Sequence, residues 1–94
     1  MPLAISGTNP ITADGTLTIT GLAPGKVYVA KANAATTWGS GTLTLADDEG
    51  DTVVAWTADT AGVEFTCTGR TYTATMAGST SPDVTFKIAP AIGR

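Results

Sequence analysis

The 94-residue sequence contains no histidine, a single cysteine and few charged side chains. Without histidine, neither Cys67 nor any serine has the imidazole base that activates most nucleophiles in hydrolytic enzymes. A single cysteine also excludes an internal disulfide, which is typical of a protein folded in a reducing cytoplasm. We therefore expect no catalytic residue, no cofactor and an inert Cys67 thiol, and we predict that the protein is not an enzyme.

Long apolar runs are absent as well. No segment approaches the ~20 apolar residues of a membrane-spanning helix. The first residues, Met1–Ser6, lack the basic and apolar regions of a signal peptide. These absences predict synthesis in the cytoplasm and no membrane partner.

Positive charge is scarce in a chain whose formal net charge is −3. The five cationic residues form no run in the sequence: Lys26, Lys31, Arg70, Lys87 and Arg94. Because binding to nucleic-acid phosphates requires a basic patch, we expect no nucleic-acid partner. Charged residues make up 14% of the chain, against about 25% in typical soluble domains. We therefore expect neighbouring subunits to cover part of the surface, in a homo-oligomer.

The sequence is rich in threonine, alanine and glycine, arranged in short segments where apolar and polar residues alternate. In Thr16–Thr20, for example, Leu17 and Ile19 face the predicted core and the threonines face away. Roughly eight such strands, separated by turn residues, predict an all-β fold. We expect one domain over residues 1–94, with a short tail at 90–94. Its architecture is predicted to be a two-layer antiparallel β-sandwich, immunoglobulin-like or jelly-roll-like.

The most informative segment is Thr36–Thr57. Two runs with β character, Gly41–Ala46 and Thr52–Thr57, flank the turn-rich segment Asp47–Asp51. Such an arrangement predicts a β-hairpin.

The length of the turn decides which face of this hairpin meets the core. A three-residue loop with Gly50 in the left-handed conformation places Leu45 opposite Val53 and turns Trp56 away from the core. A four-residue loop shifts the register by one residue and turns Trp56 toward the core instead.

With the three-residue loop, one face of the hairpin combines threonines with large apolar residues, which is unusual for either a core or a solvated surface. This face holds Thr42, Thr44, Val54 and Trp56, and we predict it to be an interface, together with Trp38. Trp38 and Trp56 can also be interpreted as core residues instead of interface residues. In that case each indole N–H would donate a hydrogen bond to a carbonyl group inside the sandwich. For Trp38, beside a Gly-Ser-Gly segment, neither interpretation is favoured.

A second hairpin is predicted from residues 63–68 and 71–76, which alternate on either side of a Gly-Arg dipeptide. That dipeptide suits a two-residue type II′ turn. Pairing across it places Cys67 opposite Tyr72 and sets the apolar residues of both strands on one face. Cys67 is therefore predicted to lie in the core.

An acidic cluster is the sequence feature that most resembles a metal site. It comprises Asp47, Asp48, Glu49 and Asp51. Calcium binds six to eight oxygen ligands, but the spacing here is not that of an EF-hand. We interpret the cluster as a solvated hairpin tip and predict no metal site.

The order Leu-x-Pro-Gly-x-x-Tyr, from Leu22 to Tyr28, resembles the tyrosine corner of fibronectin type III and immunoglobulin-like sandwiches. In those families the tyrosine hydroxyl bonds back to the backbone of the corner. The resemblance implies that Tyr28, Ala30 and Ala32 point inward and that Lys31 points outward. The Pro-Gly pair is also predicted to form a type II turn.

A longer stretch, from Ala35 to Thr85, resembles small all-β proteins encoded among the virion genes of tailed bacteriophages. The similarity lies in Ala-x-x-Trp-Gly-x-Gly-Thr-Leu-Thr-Leu at 35–45, the acidic turn after it, and a closing segment with Tyr72, a Gly-Ser/Thr loop and a final alternating strand. It implies a capsid-decorating, head-fibre or tail-associated protein, located in the virion and made in the host cytoplasm.

We therefore predict a non-enzymatic virion structural protein that decorates or stabilises the capsid or tail by repeated protein–protein contacts. The alternative is a carbohydrate-binding or adhesin-like module in which Trp38, Trp56 and Tyr28 stack on sugar rings. A third interpretation is a designed or excised immunoglobulin-like scaffold. The sequence does not distinguish it from the other two interpretations.

Overall fold

The computed structural model describes residues 3–59 and 61–91, and within these ranges the chain forms eight β-strands. They are β1 (Ala4–Ser6), β2 (Gly15–Thr20), β3 (Val27–Ala34), β4 (Thr42–Ala46), β5 (Thr52–Trp56), β6 (Val63–Thr66), β7 (Tyr72–Ala77) and β8 (Val84–Pro90). The strands form a five-stranded sheet of order β1-β2-β7-β4-β5 and a three-stranded sheet of order β6-β3-β8. All recorded strand pairs are antiparallel. The predicted all-β sandwich of eight strands is confirmed.

The strand orders β2-β7-β4-β5 and β8-β3-β6 are those of a jelly roll. In a complete jelly roll the first strand lies beside the last, whereas here β1 pairs with β2. The place beside β8 is taken by the segment after β1, where Ile11 forms a two-way backbone bridge with Val84. The Asn9 side chain extends that contact, because its amide donates to Phe86 O (2.9 Å) and accepts from Phe86 N (3.1 Å).

Strict alternation along the strands builds the core between the two sheets. In β2, Leu17 and Ile19 are 2% and 0% exposed, as the sequence predicted. In β8, Val84 and Phe86 are buried in the same way. Burial of this kind stabilises the fold by about 25 cal/mol per Å² of apolar surface removed from water.

The corner between β2 and β3 confirms the predicted tyrosine-corner chemistry. Tyr28 is buried, and its Oη accepts a hydrogen bond from Ala23 N–H at 2.9 Å. Lys26 N–H donates to Ala23 O (3.1 Å), and Gly25 has a φ of 88°. Because Pro24 precedes Gly25, these are the features of a type II turn. Ala30 and Ala32 point inward and Lys31 points outward, as the resemblance implied.

The central hairpin forms, but its predicted register is wrong beyond Ala46. Gly50 has a φ of 90° and Ala46 lies opposite Thr52, as the three-residue loop requires. A β-bulge then follows, so that Leu45 lies opposite Val54 and Leu43 opposite Trp56. The extra residue in the bulge is Val53.

The bulge reverses the facing of the end of β5. Trp56 is 2% exposed, and its ring packs edge-on against Phe86, with 5.9 Å between the ring centroids. Val54 is half-buried and packs against the same core. The prediction that these two residues share an outer face with Thr42 and Thr44 is therefore wrong.

The predicted hairpin between β6 and β7 is also wrong, because the two strands belong to different sheets. Gly69 does not adopt the positive φ that a type II′ turn requires at that position. The chain instead follows the tyrosine corner, where Cys67 N–H donates to Lys26 O (2.9 Å) and Gly25 N–H donates to Cys67 O (2.8 Å). It then crosses to the other sheet. Cys67 is still buried, at 1% exposure, as predicted.

The C-terminal tail begins later than the sequence indicated. Strand β8 continues through Pro90, and Ala91 N–H donates to Val27 O (3.0 Å). Pro90 therefore belongs to the three-stranded sheet, and Ala91 is joined to it by one backbone hydrogen bond. The rest of the predicted tail, residues 92–94, lies outside the described residues.

Candidate functional site

The outer side of the five-stranded sheet is a broad surface of threonine and alanine, which we call the threonine face. It consists of the outward-facing residues of the sheet: Ala4, Ser6, Thr16, Thr18, Thr20, Thr42, Thr44, Ala46, Thr52, Ala55, Thr73, Thr75 and Ala77. No residue of this set is charged. Protein surfaces of this breadth normally carry charged residues, which interface cores lack.

The register aligns the threonines in rows across the strands. Thr75 lies opposite Thr16 on one side and opposite Thr44 on the other. Thr73 in the same way lies between Thr18 and Ala46. Neighbouring strands are about 4.8 Å apart, so each row presents its methyl and hydroxyl groups at a regular spacing. The hydroxyls of Thr16 and Thr75 are hydrogen-bonded at 3.2 Å.

Two of the five predicted interface residues lie on the threonine face. Thr42 and Thr44 are half-buried and point outward from β4. Val54 and Trp56 point to the opposite side, into the core. Whether Thr42 and Thr44 take part in an interface stays a prediction, while Trp56 has no exposed ring to offer a partner.

Trp38 lies in the loop between β3 and β4, half-buried, with its Nε1 donating to Asp59 Oδ1 at 2.6 Å. The turn that follows is tight: Gly41 N–H donates to Trp38 O (3.0 Å), and Gly39 and Ser40 both have positive φ, at 59° and 61°. The structure thus gives Trp38 an intermediate position. With Tyr28 and Trp56 buried, it is the one member of the predicted sugar-stacking trio with an accessible ring.

Two aspartates, Asp59 and Asp83, accept hydrogen bonds from the loop that contains Trp38. Asp59 accepts from Ala34 N–H (2.8 Å) as well as from Trp38, and these hydrogen bonds, led by the one from Ala34, lower its pKa. Asp83 accepts from the Thr36 hydroxyl and from the backbone N–H groups of Thr36 (2.9 Å) and Thr37 (3.1 Å). The Thr36 hydroxyl is the largest cause of the lowered pKa of Asp83.

Asp14 likewise holds the loop between β7 and β8 by accepting hydrogen bonds. Its carboxylate accepts from the Ser79 hydroxyl, from Ser79 N–H (2.9 Å) and from Gly78 N–H (3.1 Å). The Ser79 hydroxyl contributes most to lowering the pKa of Asp14. All three carboxylates therefore stabilise the loops as anions that accept backbone hydrogen bonds, and this role accounts for their position.

The first residue of the acidic hairpin tip, Asp47, holds the turn by accepting backbone hydrogen bonds. Asp47 Oδ1 accepts from Glu49 N–H (3.0 Å) and Asp51 N–H (2.9 Å). Asp48 reaches over the chain at Gly69, where an added side chain would collide with its carboxylate. Within residues 3–59 and 61–91 no group of three or more acidic, histidine or cysteine side chains is arranged to hold a metal ion.

Sequence reasoning missed two features of the surface. Thr16, Thr18, Thr73 and Thr75 carry the same alternating Thr-x-Thr pattern as the predicted interface pair, a signal that would have extended the predicted surface. The second is the juxtaposition of two of the scattered cations, which the pairing of β3 with β8 places opposite each other. No signal in the sequence identifies that pairing.

Fold and surface together define the protein as an eight-stranded β-sandwich of jelly-roll strand order with one uncharged outer face. No protein-family model, curated protein sequence or solved structure matches the chain. The described part of the chain contains no helix that could cross a membrane.

Proposed function

We propose that the protein is a non-enzymatic structural component of a phage virion, and that it attaches to the capsid or tail through the threonine face. The observation that carries this proposal is the absence of charge from the whole outer side of the five-stranded sheet. A surface without charged residues loses little hydration free energy when a partner covers it. Its threonines keep hydroxyl groups available for hydrogen bonds to the partner.

The geometry suits repeated attachment. A rigid sheet loses little conformational entropy on docking, because its backbone is already ordered by neighbouring strands. Many copies on one particle then strengthen attachment by multivalency even where each contact is modest. The jelly roll is a recurrent architecture of viral capsid proteins, although it also occurs in lectins, so the fold is compatible with the proposal by analogy alone.

The direct test is to purify phage particles from cells that carry the gene and to search them for this chain by mass spectrometry. Detection of the chain at a fixed ratio to the major capsid or tail protein would support the proposal. Its absence from intact, purified particles, with the protein present in the producing cells, would contradict it.

The threonine face is tested by placing a charge in its centre. Thr44→Lys and Thr75→Lys are expected to abolish binding of the purified protein to particles that lack it, because each buries an unpaired ammonium at the contact. Thr66→Lys is the matched control, since Thr66 is an exposed strand residue of the other sheet. An equal loss of binding by Thr66→Lys would contradict the proposal that the threonine face is the attachment surface.

A further inference from the structure

The outer side of the three-stranded sheet carries two lysines directly opposite each other. Lys31 of β3 and Lys87 of β8 are paired in the register, and both side chains are exposed. Like charges in directly opposite positions destabilise a sheet. In a chain with five cations and a net charge of −3, this placement of two of them has a cost to folding and no evident structural benefit.

Neither lysine has an internal partner among the described residues. No hydrogen bond or ion pair is recorded for Lys31 or Lys87 within residues 3–59 and 61–91. One acid lies nearby on the same side of the sheet. Glu64 of β6 is opposite Val29, one pair along from the lysines. Asp83, just before β8, has its carboxylate turned to the Thr36–Thr37 backbone.

The pairs on either side of the lysines differ in chemistry. One step along the same face lie Asn33 and Thr85, which are opposite each other and offer an amide and a hydroxyl. One step the other way lie Val29 and Ala89, which are apolar. Outward pairs on a strand ladder are about 7 Å apart. The ladder therefore presents a hydrogen-bonding pair, a cationic pair and an apolar pair in line, over a length of about 14 Å.

Both lysines also line two neighbouring cavities. One, of about 270 Å³, is bordered by the lysines together with Asn33, Ala34, Ala35 and Thr85. The other, of about 540 Å³, is mainly apolar. It is lined by Val29 and Ala89 of the outer face and also by Ile5, Phe86 and Ile88, which pack in or against the core. The two ammonium groups thus stand between a polar depression and an apolar one.

We propose that Lys31 and Lys87 bind the carboxylate of an acidic sugar, such as a uronic acid unit of a polysaccharide. The two ammonium groups supply the opposite charge, and a carboxylate has two oxygens, one for each of them. The sugar hydroxyls meet Asn33 and Thr85, while the apolar face of the ring covers Val29 and Ala89. This site lies on the opposite outer side of the sandwich from the threonine face and does not depend on the proposed attachment to a virion.

The test is a titration of the purified protein, observed by NMR, with an oligogalacturonate. The neutral galactose oligomer of the same length provides the comparison without carboxylates, and polyglutamate provides the comparison with carboxylates but no sugar hydroxyls. We expect the oligogalacturonate alone to shift the resonances of Lys31, Lys87, Asn33 and Thr85. Equal binding of the neutral oligomer or of polyglutamate would overturn the assignment to an acidic sugar, as would the absence of binding at millimolar concentrations.

Variants then locate the site. Lys31→Gln and Lys87→Gln are each expected to weaken oligogalacturonate binding about fivefold, the magnitude of an exposed ion pair. Thr85→Val, which retains both lysines, is expected to weaken it as well. Lys26→Gln, at an exposed lysine in the tyrosine corner, is the matched control and should bind as the unaltered chain does. An equal effect of Lys26→Gln would show unspecific charge attraction and would overturn the site.

Stability separates a binding role from a structural one. If the two lysines serve ligand binding and not folding, Lys31→Gln and Lys87→Gln each remove the repulsion between the two ammonium groups. The urea concentration at the unfolding midpoint should then be unchanged or higher. A lower midpoint in both variants would show that the pair contributes to folding and would contradict the proposal.

Discussion

The hydroxyl of Tyr28 accepts a hydrogen bond from the backbone N–H of Ala23, 2.9 Å away, and so closes the corner between β2 and β3. Both groups lie at the point where the chain passes from one sheet to the other. Tyr28→Phe removes only the hydroxyl and leaves the Ala23 N–H without this partner. We expect the free energy of unfolding, measured by urea denaturation, to fall by about 1–2 kcal/mol. An unchanged value would show that water replaces the hydroxyl without loss.

Gly39 is a position where the structure does not accommodate a side chain without strain. Its φ of 59° disfavours any other residue, and an added Cβ would collide with the carbonyl oxygen of Thr80. We expect Gly39→Ala to lower the free energy of unfolding by about 1–3 kcal/mol. Gly15→Ala is the matched control, because an added Cβ meets nothing within 4 Å there. Similar losses for both variants would contradict this account of the turn.

The two tryptophans are expected to respond differently to truncation. Trp56→Ala should lower the free energy of unfolding by about 3–5 kcal/mol, because it leaves a cavity beside Phe86 in the core. Trp38→Ala removes a half-buried ring and one hydrogen bond to Asp59, and the expected loss is smaller, about 1–2 kcal/mol. Thermal or urea denaturation of both variants measures the difference. A larger loss of stability for Trp38→Ala than for Trp56→Ala would contradict the conclusion that Trp56 is the core tryptophan.

Acid should loosen the loops that Asp14, Asp59 and Asp83 hold. Hydrogen bonds to the ionised carboxylates lower all three pKa values in the folded protein. A carboxyl group whose pKa is lower in the folded state than in the unfolded state stabilises the fold above the unfolded pKa. That stabilisation is lost as the pH falls through the folded pKa. We therefore expect the free energy of unfolding to decrease steadily from about pH 5 downward.

The variant Asp83→Asn tests this cause. It keeps an oxygen acceptor but has no charge to lose on acidification, so its free energy of unfolding should vary less between pH 5 and pH 2 than that of the unaltered chain. The slope of stability against pH, measured by urea denaturation at several pH values, is the relevant quantity. An identical slope in Asp83→Asn would show that other groups cause the acid sensitivity.

The sequence alone determined which segments form strands and, in every strand without a bulge, which side chains face inward. Leu17, Ile19 and Tyr28 were placed correctly because alternation and turn chemistry are local properties, encoded within a few neighbouring residues. The tyrosine corner was predicted from seven consecutive positions for the same reason. The outward position of Thr42 and Thr44 was predicted in the same way, although the full extent of the threonine face was not.

Tertiary structure decided which strands are neighbours. Alternation sets Cys67 and Tyr72 on the core side whether their strands form a hairpin or cross between sheets, so the pattern could not distinguish the two arrangements. One bulged residue, Val53, reversed the facing of Trp56, since a single-residue shift moves every later side chain to the other face. The pairing of Lys31 with Lys87 joins residues more than fifty positions apart. Such a contact depends on how the whole sheet assembles, because no local preference selects it.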